Sequence, residues 1–229
     1  TNISAKDITD VMKVHYKDYF EDIKGWTERH STPELNITDK QRERVRQASM
    51  FCVSGKATVH TNFKSGKVDQ IPQKASVGRD YKSFEALLLT LQIMHGYETD
   101  NARAKVQDWM IDIVEKCAYS SINRERRAIL EILASIDKEL TATEIGTSKG
   151  LGLEREGVEI YLNPLFAVGL IKRHVSGKSF KWFIEEGPVK DFINKVANAV
   201  PQIKLKEDEE PPEDEIEAEE VWDNIPDKK

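Results

Sequence analysis

No run of eighteen apolar residues occurs in the 229-residue sequence, and Thr1-Asn2-Ile3-Ser4 shows neither the basic nor the apolar stretch of a secretory leader. The sequence therefore predicts a protein with no membrane partner, cytoplasmic (nucleoid) or nuclear. Residue 1 is Thr rather than Met, which reads as a fragment or a processed chain. Only two cysteines are present, Cys52 and Cys117, without C-x-x-C spacing or a His at a zinc-ligand interval. They fit ordinary buried thiols in a reducing compartment. No G-x-x-x-x-G-K-[ST] segment exists, so ATP hydrolysis by this chain alone is not expected. His15, His30, His60, His95 and His174 are scattered without i, i+4 pairing, and Asp18, Glu21 and Asp22 share a lysine-rich helix face. The expectation is no catalytic residue, no metal and no cofactor.

What is present is charge, unevenly placed. The net charge of -6 divides into +1 for residues 1–120 (18 basic, 17 acidic), 0 for 121–187 (10 and 10) and -7 for 188–229 (6 and 13). The part expected to fold is near neutral, so it lacks the broad basic field of a nonspecific DNA binder, and nucleic-acid contacts would have to be local.

Along the chain, Ile8, Val11, Met12, Tyr16, Tyr19, Phe20 and Ile23 recur at helical spacing, predicting a helix over about Asp7–Trp26 that ends near Gly25. Thr38 with Gln41 three residues on forms a capping-box pattern opening a second helix to about Cys52, with Arg42 and Arg46 on one face. Apolar alternation over 53–72 around Asn62-Phe63-Lys64-Ser65-Gly66-Lys67 predicts a β-hairpin with a basic tip, Lys64 and Lys67. Tyr81 to Met94 forms an apolar stripe that stops at Gly96, and another helix follows from an Asp100 cap through Cys117. Residues 1–120 thus read as a helical domain bearing one hairpin.

Residues 121–200 carry a different order. A helix over Arg124–Ser135 precedes a capping box at Thr141–Glu144, whose short helix ends near Gly150. A third helix over Glu154–Val168 is expected to kink or break at Pro164 and to stop at Gly169. Leu170–Val175 and Ser179–Ile184 then pair across Ser176-Gly177-Lys178, and Gly187-Pro188 introduces a last helix. This order is that of a winged helix-turn-helix domain. The expected fold class is mainly α with small β: a helical domain with a hairpin, a winged helix and a disordered acidic tail at 201–229.

A winged helix meets nucleic acid or protein. The start of the third helix holds Glu154, Arg155, Glu156 and Glu159, and three carboxylates against one guanidinium disfavour entry into a DNA groove. The wing offers Lys172, Arg173, His174, Lys178 and Lys181, and the first helix begins with Arg124, Arg126 and Arg127. A backbone grip through these groups is the DNA reading. Ser-Gly-Lys occurs at 54–56, 65–67 and 176–178; ordinary turn chemistry accounts for each, and the second and third also suit basic hairpin tips. In the tail, ten of the fourteen residues from Glu207 to Glu220 are acidic, which predicts disorder. Trp222 and Ile225 near its end suggest a peptide for docking on other protein subunits, the expected partner segment being 207–226.

Two stretches together resemble the C-terminal region of archaeal minichromosome-maintenance-type helicases and related AAA+ replication ATPases. Residues 75–88, Ala-Ser-Val-Gly-Arg-Asp-Tyr-Lys-Ser-Phe-Glu-Ala-Leu-Leu, resemble a lid segment, Met94-His95-Gly96 its end, and 122–186 the terminal winged helix. The resemblance implies a sensor role for Arg79 and a chain that grips DNA and engages partners as part of a larger ATPase. The inserted hairpin at 53–72 and the acidic tail depart from the pattern. The alternative is a non-enzymatic assembly subunit using the winged helix as a docking platform, or a winged-helix transcription regulator.

Overall fold

A computed structural model of the chain describes residues 5–30, 34–59, 76–148, 151–177 and 179–199. Its described part is mainly helical with a small antiparallel sheet. The elements are α1 (Ala5–His30), α2 (Asp39–Lys56), α3 (Val77–Glu98), α4 (Asp108–Ser120), α5 (Arg124–Ser135), β1 (Leu140–Thr141), α6 (Ala142–Gly146), α7 (Arg155–Ala167), β2 (Lys172–Ser176), β3 (Ser179–Phe183) and α8 (Pro188–Ala199).

Both capping boxes form. Thr38 accepts from the Gln41 N–H, and the Gln41 side chain accepts from the Thr38 N–H. The Gln41 amide then donates to the Val106 carbonyl and to Asp108, tying the start of α2 to the start of α4. Thr141 and Glu144 make the same reciprocal pair at α6. These bonds satisfy N–H groups that a helix start leaves without partners.

Four boundaries differ from the sequence reading. α1 runs past Gly25 to His30 and α3 past Gly96 to Glu98. Asp100 is not a helix cap: it takes a left-handed conformation, φ 47°, after the end of α3, and α4 begins only at Asp108. α2 extends through Lys56, so residues 53–56 are helical, and the part of the expected hairpin at 60–72 lies outside the described residues. The extension has a packing reason. A Cβ on Gly55 would stand 2.2 Å from Ile122 Cδ1, so this Ser-Gly-Lys is a close helix contact rather than a turn.

α7 is continuous across Pro164, correcting the expected break. Pro164 lies in the last turns, and its carbonyl accepts from the Val168 N–H. The helix closes as a Schellman motif: Gly169 N–H donates to Phe166 and Leu170 N–H to Leu165, with Gly169 at φ 83°. The chain then enters a three-stranded sheet of order β1-β3-β2. β2 and β3 pair from Lys172↔Phe183 to Ser176↔Ser179, and β1 adds Leu140↔Trp182 and Thr141↔Lys181. β1 has no counterpart in the sequence reading; two residues are too few to show alternation.

Ile129, Leu130, Leu133, Ile145, Val158, Leu162, Leu165, Ile171, Trp182 and Ile193 form the main core, and Phe51 of α2 and Tyr119 of α4 belong to it. Apolar packing therefore crosses the expected boundary at 120/121. An ionic cluster crosses it too: Arg44 bonds Asp112 and Glu115, and Lys195 of α8 bonds the same Glu115.

Candidate functional site

The β2–β3 hairpin places its expected site residues on opposite faces. Cross-strand partners share a face, so Arg173 and Trp182, with Val175 and Phe180, look one way, and His174 and Lys181 look the other. On the first face, Arg173 and Trp182 reach Phe166 of α7. The Arg173 guanidinium lies 4.4 Å from the Phe166 ring centre, 4.2 Å from Phe180 and 5.3 Å from Trp182, and its Nη1 donates to Asn163 Oδ1. An arginine held by three rings and an amide is an internal clamp between the β2–β3 hairpin and α7. The Arg173 named from the sequence as a nucleic-acid contact is thus half-buried and makes these internal contacts.

On the opposite face the charges are partly matched. Lys172 Nζ lies 3.7 Å from Glu185, and His174 Nδ1 lies 2.9 Å from Glu139. Glu144 is lowered in pKa by bonds from Thr141, opposed by slight burial, with Lys138 and Lys181 as weaker positive neighbours. Lys178 lies outside the described residues, as do Lys64, Lys67, Trp222 and Ile225.

The arginines opening α5 divide three ways. Arg124 is exposed. Arg126 turns inward, its Nη1 donating to the carbonyls of Gly55 at 2.6 Å and Ala57 at 3.1 Å, and burial lowers its pKa. It pins the end of α2 to the start of α5. Arg127 sits 5.8 Å from the Tyr119 ring, with Nε buried and without a hydrogen-bond partner. Tyr119 itself donates to Glu131, and burial together with that bond raises its pKa. Arg79 is exposed in the first turn of α3, beside Asp80.

The side of α7 near the hairpin presents something the charge count missed. Arg155 is neutralised by Glu159 at 2.9 Å, leaving Glu154 and Glu156 exposed. On α7, Ile160 is 67% exposed. Across on the hairpin, Val175 is 69% and Phe180 42% exposed. Ile160 falls off the buried positions Val158, Leu162 and Leu165, and that offset was the available signal. Val175 and Phe180 could not be separated from inward strand residues without the register.

Among the described residues no group of three or more His, Cys, Asp or Glu is placed to hold a metal, and no helix is long and apolar enough to cross a membrane. No protein-family model, curated protein or solved structure matches the chain.

Proposed function

We propose that residues 122–199 form a winged-helix module whose working face docks protein, in a non-enzymatic assembly role. The observation that supports this reading most is the exposure of three large apolar side chains, Ile160 on α7 and the cross-strand pair Val175 and Phe180 on the hairpin, with Glu154 and Glu156 exposed at the start of α7. Large apolar side chains left exposed suit a protein interface. The surplus acid selects a partner with apolar anchors flanked by Lys or Arg, and repels phosphate.

The rival is the DNA-gripping C-terminal region of a replication ATPase, in which Arg79 serves as a sensor arginine. Exposed Arg124, with half-buried Lys181, favours it. The internal contacts of Arg126 and Arg173 weigh against it.

A photo-crosslinking residue at Ile160 in the full-length chain, expressed in its native cells, decides between them. The docking reading expects a protein adduct insensitive to nuclease and lost in Val175→Asp. Salt-sensitive DNA affinity that falls in the Arg124→Glu, Lys181→Glu double variant, with no protein adduct, overturns it. Arg173 is unsuitable for this test because its replacement would disturb the fold.

A further inference from the structure

In the sheet order β1-β3-β2, the strand β2 stands at an edge: β3 covers one side of it, and no described strand covers the other. Ser176 and Ser179 pair across a two-residue turn. In such a hairpin Ser176, His174 and Lys172 turn their main-chain N–H and C=O groups toward β3, and Arg173 and Val175 turn theirs outward. Among the described residues nothing bonds those outward groups. We propose that β2 pairs with β2 of a second copy of this chain, antiparallel about a twofold axis at His174, joining two three-stranded sheets into one. The proposal deepens the docking reading at the hairpin by naming its partner, and it leaves Ile160 out.

Three observations select a second copy. First, register: with the axis at His174, Arg173 stands opposite Val175 of the second copy and Val175 opposite its Arg173. The outward groups of both strands then meet as hydrogen-bonded pairs, each exchanging two bonds. Second, apolar surface: Val175 is 69% exposed and its cross-strand partner Phe180 42%. The axis sets Val175 of each copy diagonally beside the other, on one face, where neighbouring side chains touch. Third, charge: unmatched charges commonly keep sheet edges apart, and here they are matched within the chain. Lys172 Nζ lies 3.7 Å from Glu185 and His174 Nδ1 2.9 Å from Glu139, while the Arg173 guanidinium is held by rings and by Asn163. Lys172 would face Ser176 of the second copy, not another cation. A strongly acidic strand, the chain's own residues 207–220 included, would instead be set beside Glu139 and Glu185.

The test is cross-linking and mass measurement on the full chain. His174→Cys, with Cys117→Ser and buried Cys52 left in place, sets two thiols opposite each other across the axis. They form a non-hydrogen-bonded pair with Cα atoms about 4.5 Å apart, within disulfide range. Mild oxidation should give a linked dimer. Lys172→Cys in place of His174→Cys puts the two thiols about 13 Å apart along the strands and should give roughly tenfold less. Without added cysteine, sedimentation should show the mass rising from one chain toward two with concentration. Val175→Pro removes an outward N–H and leaves the β2–β3 bonds intact, so it should hold the chain as a folded monomer, with its helical circular dichroism unchanged. A single-chain mass at every concentration, equal linking of the two cysteine variants, or a dimer that survives Val175→Pro would each overturn the proposal. A monomer that still gives the Ile160 protein adduct leaves the docking reading standing with another partner; a β2-linked dimer without that adduct removes Ile160 from the docking face and leaves this pairing intact.

Discussion

Arginines that look alike in the sequence do different work. Arg124 and Arg126 open the same helix, yet one is exposed while the other donates to two main-chain carbonyls of a distant helix end. Arg126→Ala should therefore lower stability by about 2 kcal/mol in denaturant unfolding, because it strands two acceptors near a half-buried site. Arg124→Ala should change it by less than about 0.5 kcal/mol. Asp112 gives a pH prediction. Burial raises its pKa, but Arg44 and Lys195 outweigh this and hold the carboxyl below its ordinary value. A depressed carboxylate contributes stability that is complete above the unfolded pKa, about 3.9, and is lost as pH falls through the lower folded value. Denaturation midpoints measured from about pH 5 down to about pH 2 should fall less steeply in Asp112→Asn than in the native chain. An unchanged slope would remove Asp112 from the acid-sensitive groups.

At the scale of elements, helix ends are set by what they pack against. Ser54-Gly55-Lys56 has turn composition, but α2 continues through it because Gly55 lets Ile122 approach and Arg126 takes up the carbonyls released at the helix end. Gly55→Ala must displace Ile122, and the expected cost is about 1–3 kcal/mol, read as a lower unfolding midpoint. At the end of α7 the requirement is conformational rather than steric. Gly169 has open space around it but a φ of 83°, so Gly169→Ala should cost about 1 kcal/mol by the same measurement. Pro164 illustrates the converse: a proline near a helix end removes one bond from the ladder, and the Schellman closure keeps the last turn intact.

At the scale of the molecule, side-chain contacts join the two expected domains. Phe192 of α8 lies against Phe51 of α2, ring centres 4.6 Å apart and planes tilted by 45°, and packs against Ala48, Cys52 and Ala118, while Arg44, Glu115 and Lys195 bind α2, α4 and α8 together. Unfolding should then be one cooperative event. Hydrogen exchange should show buried amides around Val114 and around Leu162 losing protection together on denaturation, and Phe192→Ala should lower both in parallel by roughly 3 kcal/mol. Two separated transitions would contradict a shared core.

Much of the fold was legible because it is encoded locally. Capping boxes at Thr38 and Thr141, the stripes of α5 and α8 and the stop at Gly169 are short-range patterns, and each appears where the sequence puts it. The site was legible only as a list of basic residues. Whether Arg126 and Arg173 face water depends on groups 71 residues away, at Gly55, or across a strand pair, at Trp182, and no local spacing carries that. The sequence by itself determined the helices, the hairpin turn and the segregation of acid into the tail, because these follow from periodicity, turn chemistry and composition. Tertiary structure alone decided which cations are consumed by carbonyls and rings and which apolar residues are left in water, because desolvation and packing are settled only when distant elements meet.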